Sequence, residues 1–568
     1  MGAGPYPDFF NDVFGPVMQP GSSSHTAGPC RLGYLAADLL GETPVSARVL
    51  LDAHGSFAGT FGLMAEDRAM LAGILGLLPD DERLFRAFEL AAESGLASSF
   101  EFGDLVESTH PNAVKFVLTG AGGRVAELVG ASLGGGVVET AVVDGFALRL
   151  RGESHTLLVF DPAERLDESA LCRLREVLPP PVDERRVRAA GRGVLHVVAL
   201  GDMPDLATAR EALVGGSGVR GDCGGAPDGS AAADRSSTIR DGVRLALLRP
   251  VVPVVTPADR GAQLFGTMTR WRELAEEAGE PLWEVAVRYE MAASRWPRRR
   301  VVEHMRGLAR LMRRQTTAAY DDGAVVPSSP FKPEFTARWA AHESSHRRVS
   351  DDLMAATIRA AYGAGAGIPG VLAVPGPMGG GGGYVYAALA AVRDDRGLDE
   401  EALVRGLFVA AGVGAIAYTR SSPTGEVIGC TGEAGVCGAM AAAAIAEMVG
   451  GAAQQVEDAA SLVLQAFTGM PCDPMPGGLC QPCRSRVLAA TCTAHVFADL
   501  ALAGHEAVLP FHEALDVADG VGRALPPELL CTSEGGACAA PAARRRREEF
   551  ARWIEETAPE DRPPGNLI

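Results

Sequence analysis

Positive charge is scarce in this 568-residue sequence, where 52 Lys and Arg face 71 Asp and Glu and leave a formal net charge of −19. A surface that neutralises phosphates needs clustered Lys and Arg, so no nucleic-acid partner is expected. The two basic runs, Arg298–Arg300 and Arg544–Arg547, stand in helix-like sequence and read as solvated faces. Long apolar runs are missing too. No stretch stays apolar for about eighteen residues without charge, Gly or Pro, and Met1–Gln19 has no basic segment leading into an apolar one. Neither a membrane span nor a secretory leader is therefore expected, and the reading is cytoplasmic. A disulfide framework is absent as well: the 11 cysteines follow no leader, and those crowded between Cys430 and Cys483 suit reduced or metal-bound thiols. The glycine run Gly379–Gly383 has neither a GxGxxG context with its acidic partner nor a GK[ST] ending, so it reads as a mobile loop.

What remains is an ordinary globular balance of 47% hydrophobic and 22% charged residues, in a chain too long for one core. About three or four folded units are expected. Residues 1–150 mix apolar stretches (Ala47–Ala53, Val114–Leu118) with helical periods (Asp67–Leu78, Asp81–Leu96), an α+β domain. Residues 151–214 read strand (His155–Phe160), helix (Glu168–Val177) and strand (Val194–Leu200), a small βα module. Gly215–Ser236 has little to bury, and with the short β-like patch at Val243–Val255 it makes 215–267 a linker. Residues 268–568 are helical in period at Leu282–Ala293, Val301–Met312, Asp352–Ala361, Glu400–Ala411 and the Ala-rich Cys437–Val449, which ends at Gly450–Gly451. The fold class is multidomain α+β, with an all-α catalytic domain last.

The chemistry concentrates at Gly429-Cys430-Thr431-Gly432-Glu433-Ala434-Gly435, Pro471-Cys472-Asp473-Pro474 and Gly478-Leu479-Cys480-Gln481-Pro482-Cys483. These cysteines lie in Gly/Pro-rich turns, where free backbone amides can hydrogen-bond to sulfur, as cluster ligands require. Cys480-x-x-Cys483 alone would also suit zinc or a redox pair, although Cys430 and Cys437 are too far apart for the usual second zinc pair. Cys172 and Cys492, in apolar surroundings, read as buried structural thiols.

Taken in order along the chain, these and other motifs resemble the bacterial iron–sulfur L-serine dehydratases, with the β and α chains of the two-subunit form fused. The N-terminal half carries Phe14-Gly15-Pro16-Val17-Met18, Gly21-Ser22-Ser23-Ser24-His25-Thr26-Ala27-Gly28, Gly55-Ser56-Phe57-Ala58, His110-Pro111-Asn112 and Ser132-Leu133-Gly134-Gly135-Gly136. The second half carries Cys430-x-x-Glu433-x-Gly435, Cys472-Asp473-Pro474, Cys483 and Thr532-x-x-Gly535-Gly536. The resemblance implies that the small module is ACT-like, and that Cys430, Cys472 and Cys483 hold a [4Fe-4S] cluster with one iron open to substrate. It leaves Cys480 without a role and needs no pyridoxal phosphate. It implies β-elimination from a small amino acid to a 2-oxo acid and ammonia, and allows a homodimer. His25, with a near-neutral pKa in a turn-like setting, is the base expected to take the α-proton, beside Ser24. Ser22, Ser23 and Thr26 offer hydroxyls to the substrate's carboxylate or ammonium.

The chain also departs from the family. A GHGTD-like segment is here Leu63-Met64-Ala65-Glu66-Asp67, leaving only Asp67 as a substrate contact. A TPTxG-type loop is replaced by Ala360–Gly367, and an ERN- or KRN-like stretch by Arg484–Val487. Fewer polar partners predict weak use of L-serine and preference for a bulkier or less polar β-substituted amino acid. Another cluster-dependent lyase of specialised metabolism, or a non-catalytic cluster- or zinc-bearing sensor, are the alternatives.

Overall fold

Alternating apolar residues build the first sheet, seen in a computed structural model that describes residues 6–62, 64–214, 242–331, 334–377, 381–475 and 482–557. Strands β1 (Pro44–Asp52), β2 (Ala97–Gly103), β3 (Ala113–Gly120), β4 (Val125–Gly134), β5 (Val137–Val143) and β6 (Phe146–Ala147) lie in the order β2-β1-β3-β4-β5-β6. Only the β1–β2 pair is parallel. Val114, Phe116 and Leu118 of β3 point to one face, at the period of two that a half-buried strand requires. Helix Gly28–Leu40 covers that face and crosses helix Glu66–Ile74 closely. A Cβ on Gly73 would stand 1.9 Å from the Cys30 carbonyl oxygen, so the crossing needs glycine there.

The second sheet holds β7 (His155–Asp161), β8 (Pro181–Ala189), β9 (Gly193–Leu200) and β10 (Arg244–Leu248), in the order β10-β7-β9-β8. With helices Glu168–Val177 and Leu206–Val214 the chain order is βαββαβ, the split-βαβ arrangement. The middle of β7, Leu157–Phe160, is apolar without alternation because both faces are covered. Leu157 and Val159 meet the module's own helices, while Leu158 and Phe160 join the core of the first sheet. The segment 215–267, read from sequence as linker, therefore contains the module's fourth strand, pinned to β7 by backbone pairing from Arg244 to Leu248. Gly215–Ser236 itself lies outside the described residues.

From Met268 onward the named elements are helices. The Ala-rich helix Val436–Met448 is buried on all sides and packs against Glu400–Arg420, Ala453–Phe467 and Cys483–Leu502. Its small side chains let three neighbours approach, as an all-round apolar core helix requires. Among the described residues one helix, Glu400–Arg420, is long and apolar enough to cross a membrane, and 83% of its apolar window is buried inside the protein. The N-terminus also belongs to this half: Phe9, Phe10, Val13 and Phe14 are buried in its core, and Phe9 N–H donates to Glu290 Oε2 at 2.8 Å. The boundaries read from sequence group Tyr6–Phe14 with the first sheet, whereas these side chains pack among the helices.

Two further expectations change. Gly381–Gly383, read as part of a mobile loop, open helix Gly381–Arg396, where a Cβ on Gly382 would meet Met312 and the Val374 carbonyl at 2.9 Å. Residues 378–380 lie outside the described residues. Cys172, read as a buried thiol, is exposed, because it occupies the outer face of its helix.

Candidate functional site

Each half of the chain delivers its reactive side chains from a widened turn at the start of a buried helix. In the first, Ser22 caps a π-type turn over Ser23–Ala27 by accepting from His25 N–H at 3.3 Å, and the turn runs into helix Gly28–Leu40. In the second, Cys430 precedes a π-type turn over Thr431–Gly435 that runs into helix Val436–Met448. Such turns recur at functional positions because the extra residue tilts side chains off the helix surface.

The Cys430, Cys472 and Cys483 sulfurs lie within 4.8 Å of one another, the first two buried and the third half-buried. Cys430 and Cys483 stand at helix starts, but the hydrogen bond to the Cys430 sulfur, with burial, pushes the Cys483 thiol well above its ordinary range. Hydrogen bonds from Cys472 and Cys483 hold the Cys430 sulfur well below the usual thiol range, with burial opposing and Arg486 adding its charge. Arg486 Nη1 also donates to the Pro471 carbonyl and to Asp473 Oδ1, both at 2.6 Å, which fixes the Cys472 turn. The turn is paired by Cys472 N–H to the Leu529 carbonyl at 2.8 Å and by Cys531 N–H to the Cys472 carbonyl at 2.6 Å. A Cβ on Gly425 would come 2.7 Å from Cys472 Sγ, so glycine there makes room for the sulfur. Three convergent sulfurs, two buried and one half-buried, with Cys430 the one favoured as thiolate, are a donor set fit for a soft metal centre. Cys480 lies outside the described residues.

Beside the thiols is a second group, drawn from both halves. Ser24 Oγ donates to Glu426 Oε1 at 2.8 Å and lies 2.9 Å from His25 Nδ1. His25 Nδ1 is itself 3.4 Å from Glu426 Oε1, and its Nε2 is 3.0 Å from Ser56 Oγ. Phe57 meets the imidazole edge-on at 5.3 Å. Burial pushes His25 below its ordinary value, against the pull of Glu426, which keeps the ring neutral. Burial raises Glu426, but attraction to His25 in its protonated form and the Thr424 and Ser24 hydroxyls outweigh it and hold the carboxylate below its usual range. Glu433 goes the other way, pushed well up by burial and by the charges of Cys430 and Glu426.

The remaining sequence-predicted residues take different places. Ser22 is the cap of the turn, and Ser23 is buried within it. Thr26 is fully buried, and its hydroxyl donates to the Met64 carbonyl at 3.0 Å, so it ties the turn to the neighbouring loop. Asp67 opens helix Glu66–Ile74 and accepts Arg68 N–H at 2.8 Å. The buried acid of that segment is Glu66, bonded by Thr60 Oγ1 and Met64 N–H, each at 3.0 Å.

Sequence reasoning missed Glu426 and Cys531 as members of the site, and gave Ser56 no role. Glu426 lies four residues before Cys430 with no motif of its own. Cys531 directly precedes Thr532 of the last motif, which was the available signal. Ser56 is positioned by its N–H to the Pro111 carbonyl at 2.8 Å, which gives His110-Pro111-Asn112 a structural task.

Comparison with known proteins covers both halves. The family described as serine dehydratase alpha chain matches residues 277–537. The L-serine dehydratase beta chain of Peptoniphilus asaccharolyticus is 40% identical over 154 residues, 27% of this chain and 68% of that protein. A probable L-serine dehydratase alpha chain of Bacillus subtilis is 35% identical over 174 residues, 31% of this chain and 58% of the relative. A probable alpha chain from Latilactobacillus sakei is 33% identical over 165 residues, 29% of this chain and 79% of the relative. With beta-chain and alpha-chain relatives matching its two halves, this chain belongs to the L-serine dehydratase family of lyases, with both parts in one polypeptide.

Proposed function

We propose that the chain is a [4Fe-4S]-dependent, cytoplasmic amino-acid dehydratase acting on L-serine or a related β-substituted amino acid. The observation that carries this reading is the meeting of three thiols with a neutral, carboxylate-backed imidazole in one buried region. Cys430, Cys472 and Cys483 would hold the cluster, which when bound supplies a Lewis acid able to make hydroxide a tolerable leaving group. Arg486 and Asp473 keep the Cys472 turn in register with Cys430.

The chain's own residues supply the proton chemistry. Ser24 donates to Glu426, so its oxygen is left to accept the His25 Nδ1 proton. That assignment leaves Nε2 as the basic atom, on the side of Ser56. Removing the α-proton makes His25 an imidazolium, which the Glu426 carboxylate stabilises. As the Cα–H electron pair forms the double bond, the β-substituent leaves with its bonding pair. The resulting enamine tautomerises to an imine, and water converts it to a 2-oxo acid and ammonia. Ser22 and Ser23 line the turn that carries the base, and Asp67 remains a proposed substrate contact. The βαββαβ order, with Arg244–Leu248 as its fourth strand, supports the ACT-like reading of residues 151–214.

Substrate preference follows from the altered segments. Met64 packs on Phe331 and Phe550, and the Gly365 carbonyl is taken by Arg484 at 3.0 Å. Neither position offers the polar group that the family motif would. The test is anaerobic purification followed by iron analysis and an ammonia-release screen of serine, threonine, cysteine and larger analogues. Brown protein holding about four irons that releases ammonia supports the reading. Colourless protein with stoichiometric zinc on the thiols overturns it, and a kcat/KM optimum on L-serine would overturn the substrate preference alone.

A further inference from the structure

Next to the thiol triad stands a mixed donor set. His25, Glu426 and Cys531 bring one ring nitrogen, one carboxylate oxygen and one sulfur within 4.8 Å of one another, and all three are buried. The two sets differ in kind. Three sulfurs suit a soft cluster, whereas one S, one N and one O is the composition that a borderline-soft divalent ion takes. On filling, a Cys531 that gives up its proton and the Glu426 carboxylate would together offset a doubly positive ion. A filled site would carry no net charge in a dry region, which is what burial demands.

The surroundings already orient these donors. Ser24 bridges the imidazole and Glu426, Thr424 donates to the other Glu426 oxygen, and the Cys531 thiol is hydrogen-bonded by Cys472 of the triad and by Ser56, which also lies against His25. Partners of this kind fix the ring, the carboxylate and the thiol, as the outer shell of a metal site does. Cys531 is held in left-handed backbone at φ 65°, with its N–H on the Cys472 carbonyl. A side chain kept in that sparsely populated region, and aimed into a donor cluster, marks a functional position.

We propose that His25, Glu426 and Cys531 form a second metal site, adjoining the thiol triad but sharing no ligand with it, that takes a thiophilic divalent cation such as Zn2+ and silences the enzyme by occupying the imidazole. The inhibitory half rests on His25 being the base, and the binding half does not. Filling the site releases the Cys531 proton and forms metal–sulfur, metal–nitrogen and metal–oxygen bonds, with no change in oxidation state.

The experiment uses the anaerobically purified full chain with its iron in place. Zn2+ is titrated against a chromophoric chelator, while iron content, zinc X-ray absorption and ammonia release are followed together. One zinc per chain with a single sulfur and otherwise N/O neighbours, no loss of iron, and falling turnover are expected. Cys531→Gly, which suits the left-handed backbone, and Cys531→Ser should each weaken zinc by at least about 100-fold, since even outer-shell changes cost about 10–100-fold. Both should keep their iron. Zinc held by several sulfurs, or bound equally in both variants, overturns the site. Zinc bound through Cys531 without loss of turnover upholds the site and overturns the inhibitory half, and with it the role of His25.

Discussion

The two turns that build the site have the same backbone form and opposite chemistry. Cys430, at the head of Thr431–Gly435, presents sulfur to other residues of the helical half, whereas Ser23–Ala27 presents an imidazole and a serine hydroxyl whose carboxylate partner lies 402 residues further along the chain. One cluster of donors is thus made within a domain, the other only by the docking of two. The lesson is that metal retention and proton transfer are separable properties of this chain, and mutations should divide along that line.

The largest effect should come from the thiols. Cys430→Ser removes the sulfur that Cys472 and Cys483 stabilise, and iron per chain should fall from about four to near none, with activity lost alongside. Cys172→Ser, at an exposed position, should keep full iron by the same elemental analysis. Equal iron in the two variants would erase the distinction between the clusters.

A smaller effect is expected at Glu426. Glu426→Gln keeps an acceptor for Ser24 but removes the charge, and kcat should fall by about 10–100-fold with iron unchanged. The sign of the pH effect follows from His25. Its neutral form is the active one, so activity rises as pH climbs through its pKa, which burial already places below the ordinary value. Glu426 opposes that fall, so losing its charge should move the acid limb of kcat/KM to still lower pH. An unchanged limb would separate Glu426 from the base.

The smallest effect should be at Thr26. Thr26→Val strands the Met64 carbonyl in a buried place and should cost about 1–3 kcal/mol of stability, read as a lower Tm, with kcat nearly unchanged. A large drop in kcat with an unchanged Tm would restore Thr26 to the substrate contacts.

How much of this was legible in the sequence follows from the same division. The three thiols were visible because each stands in a turn rich in Gly or Pro, a signal local to its own segment. His25 was visible as the one histidine within a serine-rich turn. Glu426 was not, because nothing within Gly425–Ile428 marks a carboxylate whose partner is Ser24. Strand β10 was taken for linker since its pairing partner, β7, lies far upstream and the Gly-rich stretch intervenes. Tyr6–Phe14 was assigned to the first domain by position, although five side chains of that arm (Tyr6, Phe9, Phe10, Val13 and Phe14) find their core among the helices. Local composition reveals elements and turns, while long-range packing decides which unit they join.

The central claim is that His25 completes a site whose metal is held entirely by the other half, and one variant tests it most directly. His25→Gln in the full chain should purify with the same iron content and visible spectrum as the parent, while ammonia release falls by about 10²–10⁴-fold. A variant that loses its iron, or one that turns over at the parent's rate, would contradict the account.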